Sequence, residues 1–197
     1  MKQKAYQLVF SGLADRETPY ALCEINSSQR FQVVTVGFSN EPVLTMGGIQ
    51  ITPDITIDEV NPDGAAIFIL PGGDMWERQS CSEVINLLQR LHAENVPVAA
   101  ICGATLEVAR AGLLHRTQHT SNSKGYLKAK VPDYKDDEFY VDALAVTDNN
   151  TITASGLGSI EFGREVIRLL NLFSEAEIVE WFEMYKHGVM PARYKTG

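Results

Sequence analysis

The nucleophile in the most telling position is Cys102. It follows the apolar run Val98 to Ile101 and precedes Gly103 and Ala104, and from Thr105 onward Leu106, Ala109, Leu113 and Leu114 fall near helical spacing, with Gly112 close to the stop. A cysteine between a short buried strand and a helix, with glycine next to it, stands on a sharp turn that lifts the thiol above the carboxyl edge of a sheet. The N–H groups of a helix N-terminus favour the thiolate, so this spacing predicts a thiol that ionises easily and attacks a carbonyl carbon. A cysteine in apolar surroundings is more often a small core hydrophobe. Its place at the strand-to-helix elbow argues for the nucleophile here.

A nucleophile of this kind needs oxyanion donors and a proton carrier. Pro71-Gly72-Gly73-Asp74 closes the apolar segment Ala65 to Leu70, and two glycines at a strand end let backbone N–H groups approach an oxyanion. Alone this is a tight turn; on a strand next to that of Cys102 it is the second half of an anion pocket. His119, in the polar stretch Thr117 to Asn122, is the histidine that a strand could return to Cys102, whereas His115 and His187 lie at helix ends and His92 beside an apolar stripe. A Cys–His pair holds a thiolate and shuttles a proton; the alternative is a strand histidine facing the other way. Glu17 sits in the loop into the first helix, on the sheet edge where open parallel sheets bind ligands. Its spacing by itself reads as a solvated first-turn carboxylate favoured by the helix dipole. Ser155-Gly156-Leu157-Gly158-Ser159 is a second glycine-rich junction, either a pocket rim or an ordinary helix entry capped by Ser159.

The elements that must position these groups alternate in type. Strands are expected at residues 6–10, 31–38, 65–70 and 98–101, with a small hairpin at 43–51 and a second hairpin of 141–147 and 151–154 turning through Asp148-Asn149-Asn150. Helices are expected at residues 19–26, 81–95, from 105 to Gly112, 161–173 and 175–187; Trp76 and Glu77 open a linker, and 133–140 is an exposed loop. Strands alternating with helices specify a layered α/β/α sandwich with a mainly parallel sheet, and 197 residues suit one domain.

Composition narrows the partners. With 45% hydrophobic and 21% charged residues and no long apolar tract, the chain reads as globular with no membrane span, and its opening residues read as a first strand, not a signal peptide. A net charge of −8 argues against nucleic acid and anionic membrane surfaces. Cys23, Cys81 and Cys102 are odd in number and form no Cys-x-x-Cys pair, which predicts reduced thiols in a cytoplasm, not a disulfide frame or a zinc site.

Taken in order, Phe10-x-Gly12-x-Ala14-Asp15-x-Glu17, Leu70-Pro71-Gly72-Gly73, Ala100-Ile101-Cys102-Gly103-Ala104, Ala111-Gly112-Leu113-Leu114, His119-Thr120-Ser121-Asn122 and Ile152-Thr153-Ala154-Ser155-Gly156 resemble the ThiJ/PfpI family across nearly the whole chain. These are intracellular proteases and glyoxalase-like proteins of the class I glutamine-amidotransferase-like superfamily. The resemblance implies a flavodoxin-like sandwich, a nucleophilic Cys102, a supporting carboxylate at Glu17, an oxyanion pocket near Gly73 and Gly103, and a homodimer. The proteases that give the family its name carry a histidine directly after the nucleophile, where this chain has Gly103. Other relatives carry a histidine on the strand after the elbow helix, and its position falls nearest Asn122. An offset of three residues reverses the strand face, so one of Asn122 and His119 stands beside Cys102 and the other turns away.

The expectation is therefore a cytoplasmic thiol hydrolase without metal or cofactor, acting on a small carbonyl or amide compound or on peptides. Cys102 attacks, Glu17 with a pKa raised by burial exchanges a proton, Gly73 and Gly103 hold the oxyanion, and His119 or water completes the transfer; Gly72, Asn122 and Ser155 line the pocket. Two rivals stand beside it. One is a glyoxalase or deglycase acting on 2-oxoaldehydes through the same Cys102 and Glu17, and the other is a non-catalytic redox sensor or chaperone-like dimer whose Cys102 oxidises reversibly.

Overall fold

The computed structural model describes residues 2–192. In chain order the elements are β1 (Gln3–Leu8), α1 (Pro19–Ser27), β2 (Phe31–Gly37), β3 (Val43–Leu44), β4 (Gln50–Ile51), β5 (Ile55–Thr56), β6 (Ala65–Leu70), α2 (Met75–Arg78), α3 (Ser82–Ala93), β7 (Val98–Ile101), α4 (Thr105–Arg110), α5 (Lys124–Lys130), β8 (Ala145–Asp148), β9 (Thr151–Ala154), α6 (Ser159–Leu169) and α7 (Glu175–His187). Seven strands form one sheet in the order β5-β2-β1-β6-β7-β9-β8, and β3 and β4 pair as a separate hairpin. All neighbours in the large sheet are parallel except β8 and β9, which are joined by Asn149 and Asn150 at φ 46° and 59°. Asparagine tolerates that left-handed conformation, so this tight turn suits the residues that make it.

The central strands are apolar on both faces, as a covered parallel sheet requires. Ala5, Ile67, Ile69, Ala99, Ile101, Ile152 and Ala154 meet α1 and α6 through Ala21, Ile25, Phe162 and Val166. Tyr6, Leu8, Phe68, Leu70, Val98 and Ala100 face the other way, against Leu87, Leu88 and Leu91 of α3, Leu106 of α4 and Leu127 of α5. α7 packs outside α6 through Ile178 and Trp181. The result is a flavodoxin-like α/β/α sandwich, and among the described residues no helix is long and apolar enough to cross a membrane.

Several local expectations change. Trp76 and Glu77 belong to a one-turn helix, with Trp76 buried beneath Phe10 at a ring separation of 5.0 Å, where a linker is expected from the polar sequence around them. Residues 124–130 form a helix capped by Ser123, whose Oγ accepts the Tyr126 N–H. The 133–140 segment is only partly exposed, since Tyr134 and Tyr140 pack against the core. The last junction enters α6 through Gly158, and Ser159 is its first helical residue instead of its cap.

Strand order decides which loops meet. The chain winds outward from β1 to β2 and β5, then crosses to β6 and continues to β7, so the direction of winding reverses between β1 and β6. Ligands bind at such switch points, at the carboxyl ends of the strands. The loops that converge there carry Glu17 after β1, Gly72 and Gly73 after β6, Cys102 after β7, and Ser155 and Gly156 after β9.

Candidate active site

Cys102 directly follows β7 and has φ 60°, a left-handed conformation that a non-glycine side chain holds only when its surroundings impose it. The next residues make a single 3-10 turn, Cys102–Ala104, before the six residues of α4. The thiol is half-buried, and glycines hem it in. A Cβ on Gly72 would lie 2.6 Å from the Cys102 Cβ and 2.5 Å from Glu17 Oε2, and a Cβ on Gly156 would lie 2.8 Å from the Cys102 Sγ. No side chain fits at either place, so these glycines are sites of close approach to the sulfur.

Glu17 is buried, not solvated. The loop after β1 is fastened to the loop after β6 by the Ala14 N–H to Gly72 carbonyl bond, 3.0 Å, and by the Leu13–Gly73 bridge, which together turn the carboxyl inward. Oε2 accepts the Gly72 N–H at 2.6 Å; Oε1 is buried and accepts no hydrogen bond of ordinary geometry, although the thiol faces the carboxyl. Its near neighbour Asp15 is half-buried and accepts the Gly47 N–H, which anchors the β3–β4 hairpin. Burial pushes the Glu17 carboxyl above its usual range, opposed by the Gly72 N–H.

The same burial, helped by the charge of Glu17, pushes the Cys102 thiol up, against the opposing contacts of Asn122 and the Gly103 N–H. The expectation of an easily ionised thiol is thus corrected. The helix behind the elbow is short, and desolvation with an adjacent carboxylate outweighs its dipole. The sulfur therefore favours its protonated form, beside a carboxyl that can exchange a proton with it.

Asn122 stands beside the sulfur, its Nδ2 3.5 Å from Sγ and its Oδ1 accepting the Gly156 N–H at 2.9 Å. His119 does not reach it. Nδ1 is bonded to the Thr117 carbonyl and Nε2 to the Tyr134 hydroxyl, each at 2.6 Å, and the ring packs edge-on against Tyr134 and Tyr140. Burial lowers the imidazole pKa, so it is held neutral in a structural role, and its assignment as catalytic base is withdrawn. The segment is steered by its bridge to Tyr140, which sets His119 into the core and, three residues on, brings Asn122 to the thiol.

Two further pocket residues serve elsewhere. The Gly72 N–H is spent on Glu17, and the Ser155 Oγ accepts the Leu157 N–H at 3.3 Å inside its own turn. The sequence marks Gly156 only as part of a glycine-rich junction and does not single out Trp76 or Tyr126 as pocket residues. The flanking of Cys102 by two glycine-rich loops was a usable signal for Gly156, but nothing local marks the other two. Trp76 closes one wall: a Cβ on Gly103 would meet its Cδ1 at 3.1 Å, and its Nε1 donates to the Pro71 carbonyl at 2.9 Å. The space that a histidine after the nucleophile would need is filled by indole. A cleft of about 490 Å³ is bordered by Gly12, Met46, Asp74, Met75 and Arg78, and neither Cys102 nor Glu17 lines it. Among the described residues no cluster of three His, Cys, Asp or Glu side chains could hold a metal ion.

Fold and site together define an α/β sandwich with a thiol on a strand-to-helix elbow and a buried carboxyl as its titratable neighbour. The DJ-1/PfpI family pattern matches residues 3–169, and the chain belongs to that family. It is 36% identical over 191 residues to "Uncharacterized protease YoaZ" of Bacillus subtilis, covering 93% of this chain and 91% of that one. It is 29% identical over 146 residues to "Deglycase PYRAB04690" of Pyrococcus abyssi, covering 71% and 82% respectively. The crystal structure of a thiJ/pfpI family protein from Bacillus anthracis superposes with a TM-score of 0.87 at 34% identity, covering 96% of this chain and 92% of the other.

Proposed function

We propose that the protein is a cysteine-dependent enzyme acting on small reactive carbonyl compounds, of the glyoxalase or deglycase type, with Cys102 as nucleophile and Glu17 as acid–base group. The observation that carries this reading is the pairing of Cys102 with a buried carboxyl of raised pKa, in a site that holds no imidazole. Peptide hydrolysis calls for a base that activates the thiol and an acid that protonates a poor amine leaving group. Gly103, backed by Trp76, and the withdrawn His119 remove both usual sources. Addition to an aldehyde expels no amine, so a carboxyl that takes the thiol proton is enough.

The chemistry closes on a 2-oxoaldehyde. The sulfur bonds to the aldehyde carbon while Glu17 takes the thiol proton and passes it to the carbonyl oxygen, which becomes a hydroxyl, giving a hemithioacetal and leaving Glu17 as the carboxylate. Glu17 then takes the proton on that carbon and delivers it to the neighbouring carbon, while the hydroxyl proton passes to the neighbouring oxygen; the first carbon becomes a thioester carbonyl and the second an alcohol. Water cleaves the thioester to the 2-hydroxy acid and frees the thiol. The N–H groups of Gly73 and Gly103 serve the developing oxyanion, since that of Gly72 is engaged. Relatives named deglycases support this reading. A relative named a protease supports the broader thiol-hydrolase reading.

The test is methylglyoxal consumption with lactate measured as product, alongside cleavage of an unstructured peptide. Lactate formation that disappears in Cys102→Ser and Glu17→Gln is expected, with no peptide cleavage. Peptide cleavage dependent on Cys102 without lactate would reverse the choice. A protein assembling as a homodimer in a cytoplasm fits this activity, and sedimentation would read its oligomeric state.

A further inference from the structure

Beyond the Cys102–Glu17 pair, a second line of polar groups runs from the sulfur to the surface. Asn122 is held at three points. Its Oδ1 accepts the Gly156 N–H at 2.9 Å, its Nδ2 points at Sγ at 3.5 Å, and its amide also interacts with the Tyr126 hydroxyl. That hydroxyl lies close enough to Cys102 to feel its charge, and it donates its own proton to Glu77 Oε1 at 3.2 Å. Glu77 Oε2 pairs with Lys130 Nζ at 3.3 Å. Arg110 of α4 ties the two elements that carry the line back to the elbow helix, donating to the Trp76 carbonyl of α2 at 3.1 Å and to the Lys130 carbonyl of α5 at 3.2 Å.

Direction matters in this chain. Because Glu77 accepts the hydroxyl proton, the Tyr126 oxygen is left facing Asn122 as an acceptor, and it can satisfy the second hydrogen of Nδ2. With Oδ1 held by the Gly156 N–H, the Nδ2 end is left facing the sulfur and the Tyr126 oxygen. A flipped amide would point Oδ1 at a thiolate and raise its energy. We propose that Tyr126, held by Glu77, is a positioning residue that fixes the Asn122 amide in the orientation that donates to the Cys102 sulfur. In a site without imidazole, this neutral donor and the Gly103 N–H are what offset burial and the Glu17 charge at the thiol. The inference rests on Cys102 being the nucleophile of the proposed activity.

The experiment is the pH dependence of Cys102 alkylation by iodoacetamide, read on the Cys102 peptide by mass spectrometry so that Cys23 and Cys81 do not contribute. Tyr126→Phe and Asn122→Ala each raise the midpoint, by roughly one pH unit. The double variant shifts no further than Asn122→Ala alone, because Tyr126 acts through that amide. Glu77→Gln, which keeps an acceptor for the hydroxyl, stays near the parent midpoint, and Glu77→Ala follows Tyr126→Phe. An unchanged midpoint in Tyr126→Phe, or shifts that add in full in the double variant, overturns the proposal. Should Tyr126→Phe fail to fold, as judged by thermal melting, Glu77→Ala on the exposed side of the line decides in its place. Alkylation does not depend on turnover, so a failure here is separate from a failure of the 2-oxoaldehyde assay in Cys102→Ser.

Discussion

Replacing Glu17 by glutamine should abolish activity and stabilise the fold, increasingly so as the pH rises. The carboxyl is fully buried, with one oxygen on the Gly72 N–H at 2.6 Å and the other without a hydrogen bond. A buried polar group left unsatisfied costs about 1–3 kcal/mol. Glutamine retains the acceptor for Gly72, carries no charge and turns an amide N–H towards the sulfur. The sign follows from the raised folded-state pKa. The native state holds a proton that the unfolded chain gives up at lower pH, so the stabilisation present below the ordinary glutamate range is lost as the pH rises through the elevated folded value. Glutamine has no such slope. Its advantage is smallest near pH 4 and reaches about 1–3 kcal/mol above neutrality, or roughly 3–10 °C in melting temperature for a chain of this size. Loss of the acid–base group lowers kcat by roughly 100-fold to 10,000-fold. Melting curves of both proteins at pH 5, 7 and 9, with 2-oxoaldehyde turnover at pH 7, make the comparison. A variant that melts below the parent at every pH, or whose gain is the same at pH 5 and pH 9, would refute the account of a desolvated carboxyl.

Other substitutions follow from the same geometry. Gly156→Ala places a methyl 2.8 Å from the sulfur; alkylation of Cys102 should slow at least about tenfold, with a stability loss of about 1–3 kcal/mol from overpacking, and an unchanged alkylation rate would show the thiol reached from another side. His119→Phe removes both partners of the Thr117 carbonyl and the Tyr134 hydroxyl. It should cost about 1–3 kcal/mol in urea unfolding while kcat stays within a few-fold, and a loss of turnover in a folded protein would return His119 to the mechanism. His119 also has the opposite pH signature to Glu17. Its lowered pKa gives stability that is present above the ordinary histidine range and lost as the pH falls, so the variant's disadvantage should shrink on acidification.

What could be read from the sequence was local. An apolar tetrad, a cysteine, a glycine and a change of period are enough to specify β7, the elbow and the start of the following helix, because strand burial and turn sterics act within a few residues. The alternation of such units specifies the sandwich for the same reason. Trp76 escaped notice because its burial depends on Phe10 and Gly103, which no periodicity around residue 76 reveals. The environment of the thiol was decided only in three dimensions. Pairing of β1 with β6 brings Gly72 onto Glu17 across 55 residues and buries a carboxyl that its own neighbours mark as solvated. The bridge at Tyr140 chooses which face of residues 117–122 meets Cys102, placing Asn122 at the sulfur and His119 in the core. Helix position alone favours a thiolate, whereas desolvation and the nearby carboxyl favour the protonated form, and those two effects depend on which distant segments close over the elbow. Backbone sterics placed the thiol at the elbow; long-range packing determined its surroundings and its companions.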